Sequence, residues 1–268
     1  MRVAALQLDV RRNAVDANLA DVTAGLRQAR EQGLDLVVLP EMWPTSFPTS
    51  DADLARALAE SAQALAAVAE LSRSLGIAVA GSAFAPSSGG RPMNRLHLFE
   101  HGALVLEYDK VHLFSPTAEE LQFTAGERPP PTVATRLGRI SGGVCYDLRF
   151  PELWRAPFRE QAELLLVPAQ WPVPRAAHWR ALVIGLAVSN QCFVVACNRT
   201  GRDTLGRRAL ELVFPGNSLV VDPAGTVLAE GRGEPGLVSA SVDLALVREL
   251  RRQVPLERDR RPELYSSW

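Results

Sequence analysis

The chain has 268 residues, 47% of them hydrophobic and 22% charged, with a formal net charge of −1. That length can bury a substantial α/β core, and the near-neutral charge lacks the basic face that a nucleic-acid or membrane partner would need. No apolar run approaches the ~20 residues of a membrane span, and "MRVAALQLDV" enters strand-like residues at once, without a secretion-signal pattern. The three cysteines, Cys145, Cys192 and Cys197, form no CxxC pair. This argues against a disulfide framework and for a reducing cytoplasm.

In chain order, "RVAALQLD" reads as a strand, "NAVDANLADVTAGLRQAREQG" as an amphipathic helix closed by Gly33, and "LDLVVLPE" as a buried strand. A second helix opens at a cap on Ser50 or Asp51 and ends at Gly76, followed by the strand "IAVAGSAF". "NRLHLFEHGALVLEYDK" is a hairpin turning at Glu100, His101 and Gly102. Then come the strand "GRISGGVCY", a helix opened by Pro151, the strand "AELLLVPAQ", the helix "RAAHWRALVIGLAVSNQ" and the strand "CFVVACN". "NSLVVDPAGTVLAE" reads as a second hairpin, and "GLVSASVDL" as a strand leading into a last helix. No long linker or internal repeat interrupts this order. Residues 1–268 therefore read as a single domain of helix-covered sheets, with the Pro-rich "GERPPPT" a surface connection.

Familiar nucleotide and metal motifs are absent or misplaced. "GRGEPG" matches GxGxxG, but no helix follows it to hold a pyrophosphate, so it is a loop. The four histidines are scattered without metal-ligand spacing. The strand ends carry more. Glu41 follows the buried strand in "VVLPEM", as a loop cap or as a general base. Lys110 closes "LVLEYD" and is the only lysine among 29 basic residues. Either it is a chance survivor, or it marks a site where only a compact ammonium fits and a guanidinium fork does not. Cys145 sits where "ISGGV" gives way to Tyr146, Asp147 and Arg149. A thiol, a carboxylate and an ammonium suffice for nucleophilic acyl chemistry: one attacks, one moves protons, one steadies negative charge. No spacing rule brings these three together in space.

"LPEM", "YDKVHLF" and "GGVCYDLRFPEL", in that order, resemble the three signature segments of the nitrilase superfamily of carbon–nitrogen hydrolases. The resemblance covers nearly the whole chain. It implies an αββα sandwich of two mixed sheets flanked by helices, and a catalytic set of Glu41, Lys110 and Cys145. It also implies a second glutamate after the lysine, Glu119, with Glu120 the runner-up. "PAQWPVPRAAHW" followed by "NQCFVVACNRTG" is similar to the omega-amidase branch, which hydrolyses the terminal amide of 2-oxo acids such as 2-oxoglutaramate. A sister branch acts on deaminated glutathione and shares "CYDLRFPEL". The resemblance implies a small-molecule amide substrate, no cofactor, no metal and a homodimer. Members commonly carry an acid where this chain has Ser189.

On this reading the Tyr146 N–H contributes to an oxyanion hole and Lys110 lowers the Cys145 pKa, while Glu41 takes the thiol proton. Trp171 and Arg175 border the substrate; Arg175 binds its distal carboxylate or is a surface arginine at a helix start. Arg149 is expected to pair with Asp147 or a neighbouring carboxylate, His178 to form pocket wall and His112 to pack behind the site. Cys192 and Cys197 belong to the core.

Overall fold

The computed structural model describes residues 1–265. Its strands and helices run β1 (Arg2–Gln7), α1 (Val15–Glu31), β2 (Leu36–Val38), α2 (Asp51–Leu75), β3 (Ala78–Ala85), β4 (Met93–Glu100) and β5 (Ala103–Asp109). They continue with β6 (Val133–Thr135), β7 (Gly138–Gly142), α3 (Arg155–Arg159), β8 (Leu164–Ala169), α4 (Ala176–Asn190) and β9 (Phe193–Asn198). β10 (Thr200–Leu205), β11 (Leu210–Pro215), β12 (Leu219–Val221), β13 (Val227–Glu230), β14 (Gly236–Ser241), α5 (Ala245–Gln253) and the short helices α6 (Leu256–Asp259) and α7 (Pro262–Tyr265) complete the order.

The strands make two six-stranded sheets, β14-β1-β2-β3-β4-β5 and β13-β12-β9-β8-β7-β6. Each has a parallel centre, β1-β2-β3 in one and β7-β8-β9 in the other, with antiparallel strands at its margins. The sheets pack face to face, β1 against β9 and β2 and β3 against β8. The period-2 alternation of a strand decides which side chain goes where. Val3 and Ala5 of β1 enter the core between the sheets, whereas Ala4 and Leu6 face Val22 and Leu26 of α1. Helices α1 and α2 thus cover one sheet and α4 covers the other. The αββα sandwich expected from the sequence is the fold observed.

Local signals act where the sequence placed them. Ser50 caps α2, its Oγ accepting the Asp53 N–H at 3.2 Å, and Gly76 ends it in the left-handed region at φ +67°. Three expectations need correction. The β7 strand stops at Gly142, so Cys145 opens a separate 3-10 segment, Cys145–Arg149, instead of ending the strand. Pro151 starts a turn, and the helix that follows is only Arg155–Arg159. Pro157 is the cause: it has no N–H for an i→i−4 bond, so it is tolerated only in a first turn, and a helix begun at Pro151 would bury it in the interior. The third correction is an omission, the two-stranded β10–β11 hairpin, which sits on the active-site side of the sandwich.

Candidate active site

Strand ends position the reactive groups. Glu41 follows β2, Lys110 follows β5, and Cys145 follows β7. All three side chains, with Glu119, line one cavity of about 30 Å³. Lys110 Nζ lies at the centre of a buried charge cluster. It donates to Glu41 Oε1 at 2.8 Å and to both oxygens of Glu119 at 2.9 Å. Each of these three side chains is only 1% exposed. Glu119, in the 3-10 turn Glu119–Leu121, also accepts the Phe114 N–H at 2.5 Å, while the neighbouring Glu120 is exposed. Of the two glutamates, it is Glu119 that contacts Lys110. A single compact ammonium with three donors satisfies two carboxylates at once, which a planar fork could not do in the same volume.

Cys145 is held at a bend. Its φ is +48°, a left-handed conformation that costs a non-glycine residue free energy and that surrounding structure must impose. Asp147, fully buried, imposes it. Its Oδ2 accepts the Val144 N–H at 3.0 Å and the Tyr108 hydroxyl at 2.9 Å. Its Oδ1 accepts the His112 N–H at 3.0 Å and contacts His112 Nδ1 at 2.9 Å. Tyr108 and His112 flank Lys110, so one carboxylate ties the thiol's bend to the lysine's segment. The two glycines before the bend leave room for this. A Cβ on Gly142 would lie 2.5 Å from the Leu166 carbonyl oxygen, and one on Gly143 would lie 2.8 Å from the Trp154 ring.

Electrostatics set the resting protonation states. Burial alone would lower the Lys110 pKa, but the charges of Glu119 and Glu41 outweigh it and hold the ammonium protonated. Burial raises the carboxyl pKa of Glu119, with Lys110 opposing. The Cys145 thiol is pushed well above its ordinary value, first by burial, then by the charge of Glu41; Lys110 lowers it without prevailing. Lys110 thus acts in the expected direction, but burial and Glu41 outweigh it. At rest the group is a neutral thiol, hydrogen-bonded to Glu41.

The walls correct the sequence reading further. Tyr146, Trp171 and Arg175 all border the cavity. The Arg175 guanidinium lies 5.5 Å over the Phe114 ring, and its carbonyl accepts from Trp171 Nε1 at 2.8 Å. Arg149 does not pair with Asp147, whose oxygens are taken by other donors. It faces the cavity, stacked 4.8 Å over Trp171, with Nη2 at 3.2 Å from His178 Nδ1. Residues two apart in a tight turn point in different directions, so Asp147 turned inward and Arg149 outward. Among the described residues no carboxylate lies within ion-pair distance of Arg149 or Arg175. His178 is exposed and is not pocket wall; His112 packs behind the site, stacked on Phe150 at 3.7 Å. Ser189 lies away from the cavity, at the end of α4. Cys192 and Cys197 are core residues.

Two contributors were not singled out from sequence. Gln170, just after β8, donates its N–H to Glu41 Oε2 at 3.0 Å, and the "VVLPE" and "LLVPAQ" strand ends carry the same kind of signal. The β10–β11 hairpin supplies Leu205 and Leu212 to an apolar wall completed by Phe47. Among the described residues no group of three or more His, Cys, Asp or Glu could hold a metal ion, and no helix is long and apolar enough to cross a membrane.

The carbon–nitrogen hydrolase family model matches residues 2–252. The chain belongs to that family. It is 33% identical over 265 residues to the 2-oxoglutaramate amidase of Bacillus subtilis (strain 168), covering 98% of each chain. It is 35% identical over 228 residues to the omega-amidase YafV of Escherichia coli (strain K12), covering 85% of this chain and 84% of that one. Among solved structures, an amidase from Nesterenkonia sp. AN1 superposes with a TM-score of 0.86 at 30% identity, covering 100% of this chain and 99% of that one. A variant of that amidase carries the acetamide moiety of fluoroacetamide on its active-site cysteine, and another was solved with butyramide. The present carbon–nitrogen hydrolase is accordingly an amidase with an active-site cysteine.

Proposed function

We propose that this amidase hydrolyses the terminal amide of a small 2-oxo acid amide of the 2-oxoglutaramate kind, releasing ammonia through a Cys145 thioester. The observation that carries the reading is the charge layout of the cavity. The Glu41–Lys110–Glu119 cluster and the thiol occupy one side, and the acid-free guanidinium groups of Arg149 and Arg175 border the same space. A guanidinium fork matches a carboxylate bidentately, so an amide with an anionic far end satisfies both parts of the cavity. The two relatives whose names specify omega-amide or 2-oxoglutaramate chemistry support the same reading.

The neutral Cys145 thiol passes its proton to Glu41 as sulfur attacks the amide carbon. Negative charge develops on the former carbonyl oxygen. Lys110 Nζ and the N–H of Tyr146, in the first turn of its 3-10 segment where no intrahelical acceptor is needed, steady that charge. Glu41 returns the proton to the amide nitrogen, the C–N bond breaks, and ammonia leaves. Water then attacks the thioester, giving a proton to Glu41; the C–S bond breaks, the acid departs, and the proton returns to sulfur. Glu119 keeps Lys110 in place through both halves.

The test is a substrate panel with a trapping arm. Purified protein should release ammonia from 2-oxoglutaramate in preference to butyramide, and rapid quenching followed by mass spectrometry should find an acyl adduct on Cys145. Cys145→Ala should fold and lose turnover. Inactivity on 2-oxoglutaramate alongside turnover of a larger amide would reject the substrate; turnover by Cys145→Ala would reject the nucleophile.

A further inference from the structure

The Glu41 carboxylate has to receive and return protons at three partners in turn, namely thiol, leaving nitrogen and water. Such a group works only when its orientation is fixed; a misplacement of 1 Å can cost about 10²-fold. Lys110 and Asn94 hold Oε1, at 2.8 and 2.9 Å. Gln170 holds the rest. Its backbone N–H, which a substitution keeps, donates to Oε2 at 3.0 Å, and its side chain turns back so that Nε2 donates to the Glu41 carbonyl oxygen at 2.9 Å, the contact that a substitution removes. One residue therefore pins both the main chain and the carboxylate of Glu41.

The Gln170 side chain is itself clamped. Its Oε1 accepts from Arg199 Nη1 at 3.1 Å and from Ser46 Oγ at 3.4 Å. A guanidinium only donates and a carbonyl only accepts, so the amide has one allowed orientation: oxygen to Arg199, nitrogen to Glu41. Arg199 is fully buried, and its Nη1 also donates to Asp203 Oδ2 at 3.1 Å and to Ser46 Oγ at 3.2 Å. Burial lowers its pKa, with the charge of Asp203 opposing. An isolated buried cation is costly, so its placement here is tied to the groups it organises.

We infer that Gln170 is the positioning residue for Glu41, and that buried Arg199 sets the one amide orientation in which Gln170 can do this. The inference rests on Glu41 acting as the general base. The same Gln170 N–H also lowers the Cys145 pKa against the stronger effect of burial, which places it beside both proton-exchange partners.

The test compares wild type, Gln170→Leu, Gln170→Glu and Glu41→Gln in two assays: turnover of 2-oxoglutaramate against pH, and alkylation of Cys145 by iodoacetamide, which needs no turnover. Gln170→Leu should cut kcat by about 10- to 100-fold with KM changed less than about threefold, and slow alkylation at pH 7 by about tenfold. Gln170→Glu can still accept from Arg199 but cannot donate to the Glu41 carbonyl. It also adds a negative charge beside the base, so the acidic limb of its kcat/KM profile should move to higher pH. That charge effect is independent of positioning; a merely structural role would lower the folded fraction without lowering kcat or the alkylation rate per folded molecule. Should Gln170→Leu fail to fold, Gln170→Glu, which keeps the buried cation paired, carries the test alone. Turnover of 2-oxoglutaramate by Glu41→Gln at the wild-type rate would show that the general-base reading has failed. Lost turnover in Glu41→Gln beside a Gln170→Glu pH profile, kcat and alkylation rate like wild type would overturn only the positioning role.

Discussion

Replacing Lys110 by Met removes the charge at the centre of the buried cluster while keeping an unbranched apolar side chain. Glu41 and Glu119 then face each other with nothing between them. In the wild type the ammonium lies 2.8 Å from one carboxylate and 2.9 Å from the other. At an effective dielectric constant near 20 each contact is worth about 6 kcal/mol before desolvation is subtracted, and removing one partner of a buried pair costs about 3–5 kcal/mol net. We expect a loss of about 4 kcal/mol at pH 8, or about 8–16 °C in Tm at about 2–4 °C per kcal/mol. The loss should depend on pH. The Glu119 carboxyl already stands above its ordinary value through burial, and losing the ammonium raises it further. A carboxyl raised in the folded state costs stability as pH climbs from its unfolded value of about 4.3 through its folded value. The penalty is therefore full above that window and shrinks on acidification, as the pair takes up a proton. Urea unfolding of both proteins at pH 8 and pH 5 measures it. A difference below about 1 kcal/mol at pH 8, or one equal at the two pH values, would refute the charge-cluster reasoning.

Lys110→Arg keeps the charge and changes its shape. The fork cannot sit in the ammonium's place between two carboxylates, and kcat should fall by at least about 10²-fold; near-normal rates would show that the compact cation is dispensable. The raised Cys145 pKa predicts that iodoacetamide alkylates this residue more slowly at pH 7.5 than an ordinary thiol of pKa about 8.5, with the rate still climbing above pH 9. A rate that has levelled off by pH 7 would mean that the resting group is a thiolate and that Glu41 is not needed to deprotonate it.

Glu41, Lys110 and Cys145 could be singled out as candidates from sequence because they obey a local rule, whereas their meeting in one cavity was implied only by the family resemblance. A buried strand that runs into a polar residue places that residue at the sheet margin, and Glu41, Lys110 and Cys145 each stand at such a transition. The helix caps at Ser50 and Gly76 were readable for a similar reason, since each acts on backbone within its own turn. Asp147 failed that rule. Its partners, Tyr108 and His112, come from the segment around Lys110, and no pattern inside "CYDLRFPE" indicates that the aspartate turns inward while Arg149 turns out. The helix assigned to Pro151 failed because the weight given to one proline ignored Pro157.

The cavity walls were the least legible part, and their physics explains it. A catalytic proton transfer needs particular functional groups, which leaves few residue types to choose from. A wall needs only volume and polarity, which many residues supply. Leu205 and Leu212 look like any leucines, in a hairpin whose turn carries left-handed Gly206 and Ala209 among arginines and leucines. Arg149 and Arg175 look like any of the chain's many arginines until the fold leaves them facing the cavity without a carboxylate. On the proposed reading, substrate preference is set where the chain carries no distinctive residue, by the arginines and leucines that the β10–β11 hairpin and the turn after Cys145 deliver to the cavity.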